Sequence, residues 1–204
     1  MYCVSNIKLI MKTPVRNEKL EAILKTSHEL FWKFGIRRVT IEEICREANV
    51  SKMTFYRFFS NKAEIAQAVV KNLFDNMMDD YRKLMNEDIP FEEKIKKQLL
   101  MKFEGTKEIS PELIKDVYDD RDSELFRYWK SRSDEMLQLV YEDYSHAQKM
   151  GWIRKDMKIE YIIYMSNKAS EIVSDENLQK LYPDMQTLIM EIANTFFYGI
   201  LPRK

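Results

Sequence analysis

Glycine and proline are scarce in this chain, 4 and 5 in 204 residues. Sandwiches and barrels need turn residues at close and regular spacing, and no alternating polar and apolar run bounded by such residues is present. The fold class that remains is all-α. Cysteine is nearly absent too: Cys3 and Cys45 give neither a disulfide framework nor metal-ligand spacing, which fits a reducing cytoplasm. Cys45 reads as a small hydrophobe on an apolar helix face. The two histidines, His28 and His146, have no serine or cysteine nucleophile pattern around them. No catalytic constellation, no glycine-rich phosphate loop and no dinucleotide fingerprint appears, so neither an enzyme nor a cofactor is expected. The acidic run Asp119, Asp120, Asp122, Glu124 is interrupted by Arg121 and lacks calcium-loop spacing, so it reads as a solvated turn and no metal is expected.

Long apolar runs are missing as well. No stretch approaches the ~18 residues a membrane span needs. The start MYCVSNIKLIMKT lacks the apolar core and cleavage site of a signal peptide. A cytoplasmic protein without a membrane partner is the expectation. Met11 offers a second start, which would make residues 1–10 an upstream extension.

Net charge is zero only as a sum. Residues 1–74 carry 13 Lys and Arg against 7 Asp and Glu, and residues 75–204 carry 20 against 26. A basic N-terminal module on an acidic body is the asymmetry of a DNA reader whose other half must not bind phosphate.

That module has readable boundaries. Apolar residues Leu20, Ile23, Leu24, Leu30, Phe31 and Phe34 recur at helical steps, and Gly35 ends that helix. Thr40 caps a second helix with Glu43 as its box partner, and Ile41, Ile44, Cys45 and Ala48 line one face. Asn49 suits a left-handed exit, and Val50 plugs the corner. Ser51 then caps a helix over residues 52–59, with Phe55 and Phe59 inward and Lys52, Met53, Thr54, Tyr56, Arg57 and Phe58 on the outer arc and N-terminal end. Asn61 and Glu64 open a fourth helix. This is a helix-turn-helix, and the outward set is what such a motif presents to double-stranded DNA.

At Lys19 to Val69, through the Thr40 cap, the VSKMTFYRFF run and the NKAEI start of the next helix, the chain resembles the TetR family of bacterial transcriptional regulators. The resemblance implies that Thr40, Tyr56 and Lys62 clamp phosphates with Ser51, Lys52 and Arg57 near them. Bases are then read by Met53, Thr54 and Phe58, with Lys52 available to guanine. Met53 departs from the glycine frequent there; its thioether can press on a thymine methyl.

The rest reads as further helices: through Ile65, Val69, Leu73, Met77 and Leu84; over 91–104 with Ile95, Leu99 and Phe103 on one face and Gly105 as exit; from a Ser110 cap and Pro111; over about 123–150; over 158–173; and over 183–201. That makes about nine helices, divided into a flexible tail (1–16), a helix-turn-helix domain (17–66) and an effector-binding and dimerisation domain (67–204). Lys8, Lys12, Arg16 and Lys19 form a basic approach that serves either DNA or a solvated tail. The resemblance pairs the last two long helices with those of a second subunit, here through Ile159, Ile162, Ile163, Ser166, Ala169, Ser170 and Val173 and through Leu188, Ile192, Ala193, Phe196 and Phe197. The body is rich in methionine and aromatic residues; most are core, while Met78, Phe103, Phe126, Trp129, Tyr164 and Met165 are candidates for lining a pocket for a small apolar or amphipathic effector. A repressor that releases a near-palindromic operator on binding that effector is the expected function. The alternative is an α-helical ligand-binding or enzymatic protein with a vestigial helix-turn-helix.

Overall fold

A computed structural model describes residues 18–201. Cys3, Lys8, Lys12, Pro14 and Arg16 lie outside them. Among the described residues the chain forms ten helices and no strand: α1 (Glu18–Phe34), α2 (Ile41–Glu47), α3 (Lys52–Tyr56), α4 (Lys62–Met85), α5 (Phe91–Gly105), α6 (Pro111–Tyr118), α7 (Glu124–Lys149), α8 (Ile159–Val173), α9 (Glu176–Gln179) and α10 (Met185–Ile200). The short α9, opened by an Asp175 cap, is the helix that periodicity missed; four residues are too few to show a period. No helix among the described residues is long and apolar enough to cross a membrane.

Most helix starts have an oxygen-bearing cap. Thr40, Ser51, Asn61, Ser110, Ser123 and Asp184 each accept from the amide three residues on, satisfying one of the otherwise unpaired donors of the first turn. The Thr40 box is only half made, because the Glu43 carboxylate turns to Arg38 Nη1 at 3.8 Å. Glu64 does reach back, accepting from the Ser60 amide at 2.7 Å. Gly105 is not the exit of α5 but lies inside it, and Thr106 closes the helix by donating its hydroxyl to the Lys102 carbonyl at 2.8 Å.

The largest core cluster joins Ile23, Leu24 and Phe31 of α1, Ile44 and Cys45 of α2, Phe55 of α3 and Ile65, Ala66 and Val69 of α4. Leu113 and Val117 of α6 belong to the same cluster, so the N-terminal module does not end in an apolar sense at residue 66. Burying each of the larger side chains contributes about 1.5–3 kcal/mol. A second cluster gathers Phe91 and Ile95, Tyr144 and Ala147, Ile153, Ile159, Ile162 and Ile200 at the far end of the body. A third packs Ile114 against Val173, Met185 and Ile189.

Two faces differ from the expected ones. On α4 the buried stripe runs through Phe74, Met78 and Tyr81, leaving Met77 exposed. Of the expected seam residues, Ile159, Ile162, Val173, Leu188 and Ala193 are buried inside their own subunit, and Phe196 and Phe197 are half-buried against the second cluster. The exposed apolar side chains of α8 and α10 are instead Tyr161, Tyr164 and Tyr198.

Candidate nucleic-acid interface

The α2–α3 unit is anchored from below. Phe55 is fully buried and its ring packs 5.8 Å from that of Phe59. Asn49 adopts φ 52, the left-handed exit expected of it, and Val50 is half-buried against the core. With Phe55 fixed inward, Lys52, Met53, Tyr56 and Arg57 are left exposed on the opposite side, Met53 to 81%. At that exposure the Met53 side chain adds little to the packing of a single chain.

Three of the expected positions need correction. Helix α3 stops at Tyr56, and residues 57–59 form a turn whose amides at Phe58 and Phe59 both bond back to the Phe55 carbonyl. Thr54 is therefore not on the outer arc: its hydroxyl meets Ser51 Oγ at 3.0 Å, which turns the side chain inward and buries it. Phe58 is half-buried against the core, under the Arg57 guanidinium at 5.9 Å from its centroid. Lys62 Nζ donates to the carbonyls of Arg37 at 2.8 Å and Val39 at 3.1 Å, tying the start of α4 to the α1–α2 loop. Two of its three protons are thus spent inside the protein.

Electrostatics around α3 add a partner that spacing alone did not suggest. Glu42, on the first turn of α2, accepts a very short hydrogen bond from Lys52 Nζ. That bond holds the Glu42 carboxyl below its ordinary value and the Lys52 ammonium above its own. Thr40 remains exposed at the α2 N-terminus, where unpaired amides and the helix dipole favour an anion. Arg37 and Arg38 are exposed beside it; Arg38 stacks 4.4 Å over the Phe34 ring.

The module is held to the body at the end of α1. The Arg37 amide donates to Asp116 Oδ2 at 2.8 Å, and its guanidinium lies 3.4 Å from Asp116 and 3.6 Å from Asp119. The acidic run is exposed, as a solvated turn should be, and its first member Asp119 is also an ion-pair partner of Arg37. Trp32 adds two bonds, donating Nε1 to the Lys107 carbonyl and accepting the Ser110 amide.

The six pocket candidates do not come together. Phe103 and Tyr164 are exposed, Phe126 packs edge-on to Tyr118, Trp129 edge-on to Phe74, Met165 is half-buried and Met78 is core. One cavity of ≈ 20 Å³, beside His28, Trp32 and Trp129, has room for about one water; burial lowers the His28 pKa there. A groove of ≈ 400 Å³ between α6 and α9 is open and charged, lined in part by Glu112, Lys115, Glu176 and Lys180. Among the described residues no group of three metal-ligating side chains occurs. A largely buried cation was missed by the sequence reading: Arg132 of α7 pairs with Asp75 of α4.

The geometry of Lys62 gives a measurable expectation. Lys62→Ala should lower Tm by roughly 2–8 °C, the equivalent of about 1–2 kcal/mol from two lost bonds. If its third proton meets a phosphate, the salt dependence of DNA binding should also fall by about one unit of slope. An unchanged slope with a lowered Tm would leave Lys62 a purely internal tie.

Comparison with known proteins agrees with this arrangement. Residues 23–69 match the model of bacterial regulatory proteins, tetR family. The uncharacterized HTH-type transcriptional regulator YhgD of Bacillus subtilis (strain 168) is 25% identical over 131 residues, 58% of this chain and 69% of that protein. YerO of the same organism, also an uncharacterized HTH-type transcriptional regulator, is 36% identical over 91 residues, 43% of this chain but only 31% of YerO. The solved structure of the fatty acid degradation regulator FadR from Bacillus halodurans superposes with a TM-score of 0.70 at 18% identity, over 93% of this chain and 100% of that one. These relatives are regulators and not enzymes. Its Thr40- and Ser51-capped helices lie inside the matched segment, so residues 23–69 carry the segment that marks bacterial regulatory proteins of the tetR family, and the all-helical body behind them has the fold of a solved regulator.

Proposed function

We propose that the protein is a dimeric repressor that binds a near-palindromic operator and releases it when a small apolar or amphipathic effector enters the body. The observation that carries this reading is the bare face of α3, with Met53, Lys52, Tyr56 and Arg57 outward above a buried Phe55. Tyr56, Arg57 and Thr40 are the phosphate contacts; Met53 and Lys52 read bases, with Glu42 aiming Lys52. Ser51 and Thr54 act from within, fixing the start of α3 through their shared hydrogen bond, and Phe58 supports Arg57.

The division into a DNA-binding unit over residues 17–66 and an effector and dimerisation unit over residues 67–204 supplies the mechanism. Helix α4 runs through both, and α6 contributes Leu113 and Val117 to the core of the first. A shift of α4 and α6 therefore carries α1, held by the Asp116–Arg37 contacts, along with it. The effector acts by population shift and releases DNA only by as much as it prefers the non-binding spacing. Met78, Phe126, Trp129 and Met165 remain wall candidates, on opening of the body; Phe103 and Tyr164 face outward. A fold relative that regulates fatty acid degradation is in keeping with an apolar chain as effector. A cytoplasmic location follows from this function.

The test is fluorescence anisotropy on the region upstream of the protein's own gene at several salt concentrations, followed by operator selection. Affinity should fall steeply with salt, and Met53→Ala should change the selected bases. Salt-independent binding, or an unchanged selected consensus, would remove DNA reading by this face.

A further inference from the structure

Where α4, α5 and α7 meet, beside the second core cluster, the body buries a polar group. Tyr81 of α4 is 3% exposed, Gln98 of α5 9% and Tyr144 of α7 1%. The Tyr144 hydroxyl donates to Gln98 Oε1 at 2.9 Å. The Gln98 amide nitrogen then finds only the Met85 sulfur, at 3.8 Å, a weak acceptor. The Tyr81 hydroxyl, fully buried, makes no close hydrogen bond, and the Asp143 side chain is the polar group near enough to interact with it. Burial raises the pKa of both phenols, so both keep their protons as donors. Tyr81 and Met85 sit one turn apart on the same face of α4, which sets the free hydroxyl and the under-used amide on adjoining walls.

Leaving one buried donor without a close acceptor and another with only a thioether is costly, and Phe at position 81 would avoid the first of these costs. The charged groups nearby narrow what the donors are for. Asp143 of α7 lies close enough to Tyr81 to act on its proton, so an anion brought to the same place would be repelled. The Lys94 ammonium, one turn before Gln98 on α5, is already bonded to the Met85 carbonyl at 2.5 Å.

We propose that Tyr81 and Gln98 form the head-group site of the effector, and that the effector carries an uncharged acceptor oxygen, such as an ester, thioester or amide carbonyl, on an apolar chain. This rests on the reading that the body takes an apolar or amphipathic effector, and it adds the chemistry of the head. Binding parts α4, α5 and α7 enough for the carbonyl to accept from the Tyr81 hydroxyl and the Gln98 amide. Because Tyr81 lies on α4, the same bonds act on the helix that carries the DNA-binding module.

The experiment uses the full chain with three probes of equal chain length: methyl laurate, laurate and dodecane. Thermal shift and release of bound operator are both read. Methyl laurate should stabilise the wild type most and release operator at a concentration about tenfold or more below that of the other two, as expected for one good buried hydrogen bond. Tyr81→Phe should keep or raise the Tm of the free protein, while Gln98→Leu, which leaves the buried Tyr144 hydroxyl without its acceptor, should lower it by a few degrees; both should lose the preference for the ester while still responding to the chain. Variants that retain the preference overturn the head-group assignment and leave the apolar-effector reading standing. If laurate is preferred, the head is anionic and the proposal is wrong. If no probe stabilises the wild type, the effector reading fails and takes this one with it.

Discussion

A Tyr164→Glu, Tyr198→Glu double variant should be monomeric at concentrations where the wild type is dimeric, and should lose operator affinity by a factor on the order of 10³ or more. Both side chains are more than half exposed in the single chain, at 57% and 55%, so the substitutions leave the subunit core untouched. In a two-fold interface each substitution appears twice, so four carboxylates would be brought together and taken out of water. A buried unpaired carboxylate costs several kcal/mol unless it protonates. A monomer holds one half-site, and the affinity then drops toward the non-specific range. Light scattering gives the mass and anisotropy the affinity. A variant that stays dimeric with unchanged helicity would place the interface elsewhere.

Choosing tyrosines for this test departs from what the sequence alone suggests, and the reason is physical. α8 and α10 are apolar on more than one side, and a periodic stripe on such a helix does not say which of its faces turns toward its own subunit. Ile159, Ile162, Leu188 and Ala193 went inward, and the more amphipathic tyrosines were left outside. Local chemistry was easier to read. Thr40, Ser51, Asn61 and Ser110 all cap as their spacing predicts, since the interaction spans only three residues.

The candidate interface was legible to the same depth. Phe55 buried and Met53, Tyr56 and Arg57 exposed follow from an i, i+4 argument on α3. Thr54 did not follow, because its hydroxyl bonds to the cap residue itself. Lys62 did not either: its carbonyl partners lie 25 and 23 residues away. The Arg37–Asp116 tie spans 79 residues, and nothing in one sequence marks such a pair. The buried Tyr81, Gln98 and Tyr144 group is hidden for another reason. Each residue alone reads as ordinary helix surface or core, and only packing shows which donors are left over.

Two glycines in left-handed conformation permit the docking of the DNA-binding module on the body to be isolated. Gly35 has φ 79 and Gly151 has φ 81, so alanine at either position meets the same backbone strain, about 1–2 kcal/mol. Their surroundings differ. A Cβ on Gly151 meets nothing within 4 Å, whereas one on Gly35 meets Asp116 Oδ2 at 2.7 Å, Glu112 Cβ at 3.0 Å and the Glu112 carbonyl carbon at 3.2 Å. The Asp116 carboxylate is not free to yield, being the acceptor of the Arg37 amide, and the α6 backbone at Glu112 moves only with the helix. Overpacking of this kind adds about 1–3 kcal/mol. Gly151→Ala should therefore lower Tm by roughly 2–8 °C and leave operator affinity alone, while Gly35→Ala should lower Tm by roughly 10 °C. At a temperature where both variants are folded, Gly35→Ala should also weaken operator binding, because α1 can no longer seat against α6 and the module is presented at another angle. Equal losses of Tm would mean that the approach of α1 to α6 is looser than the structure has it. A large loss of Tm with unchanged operator affinity would keep the close packing but remove α6 as the element that sets the position of the DNA-binding module.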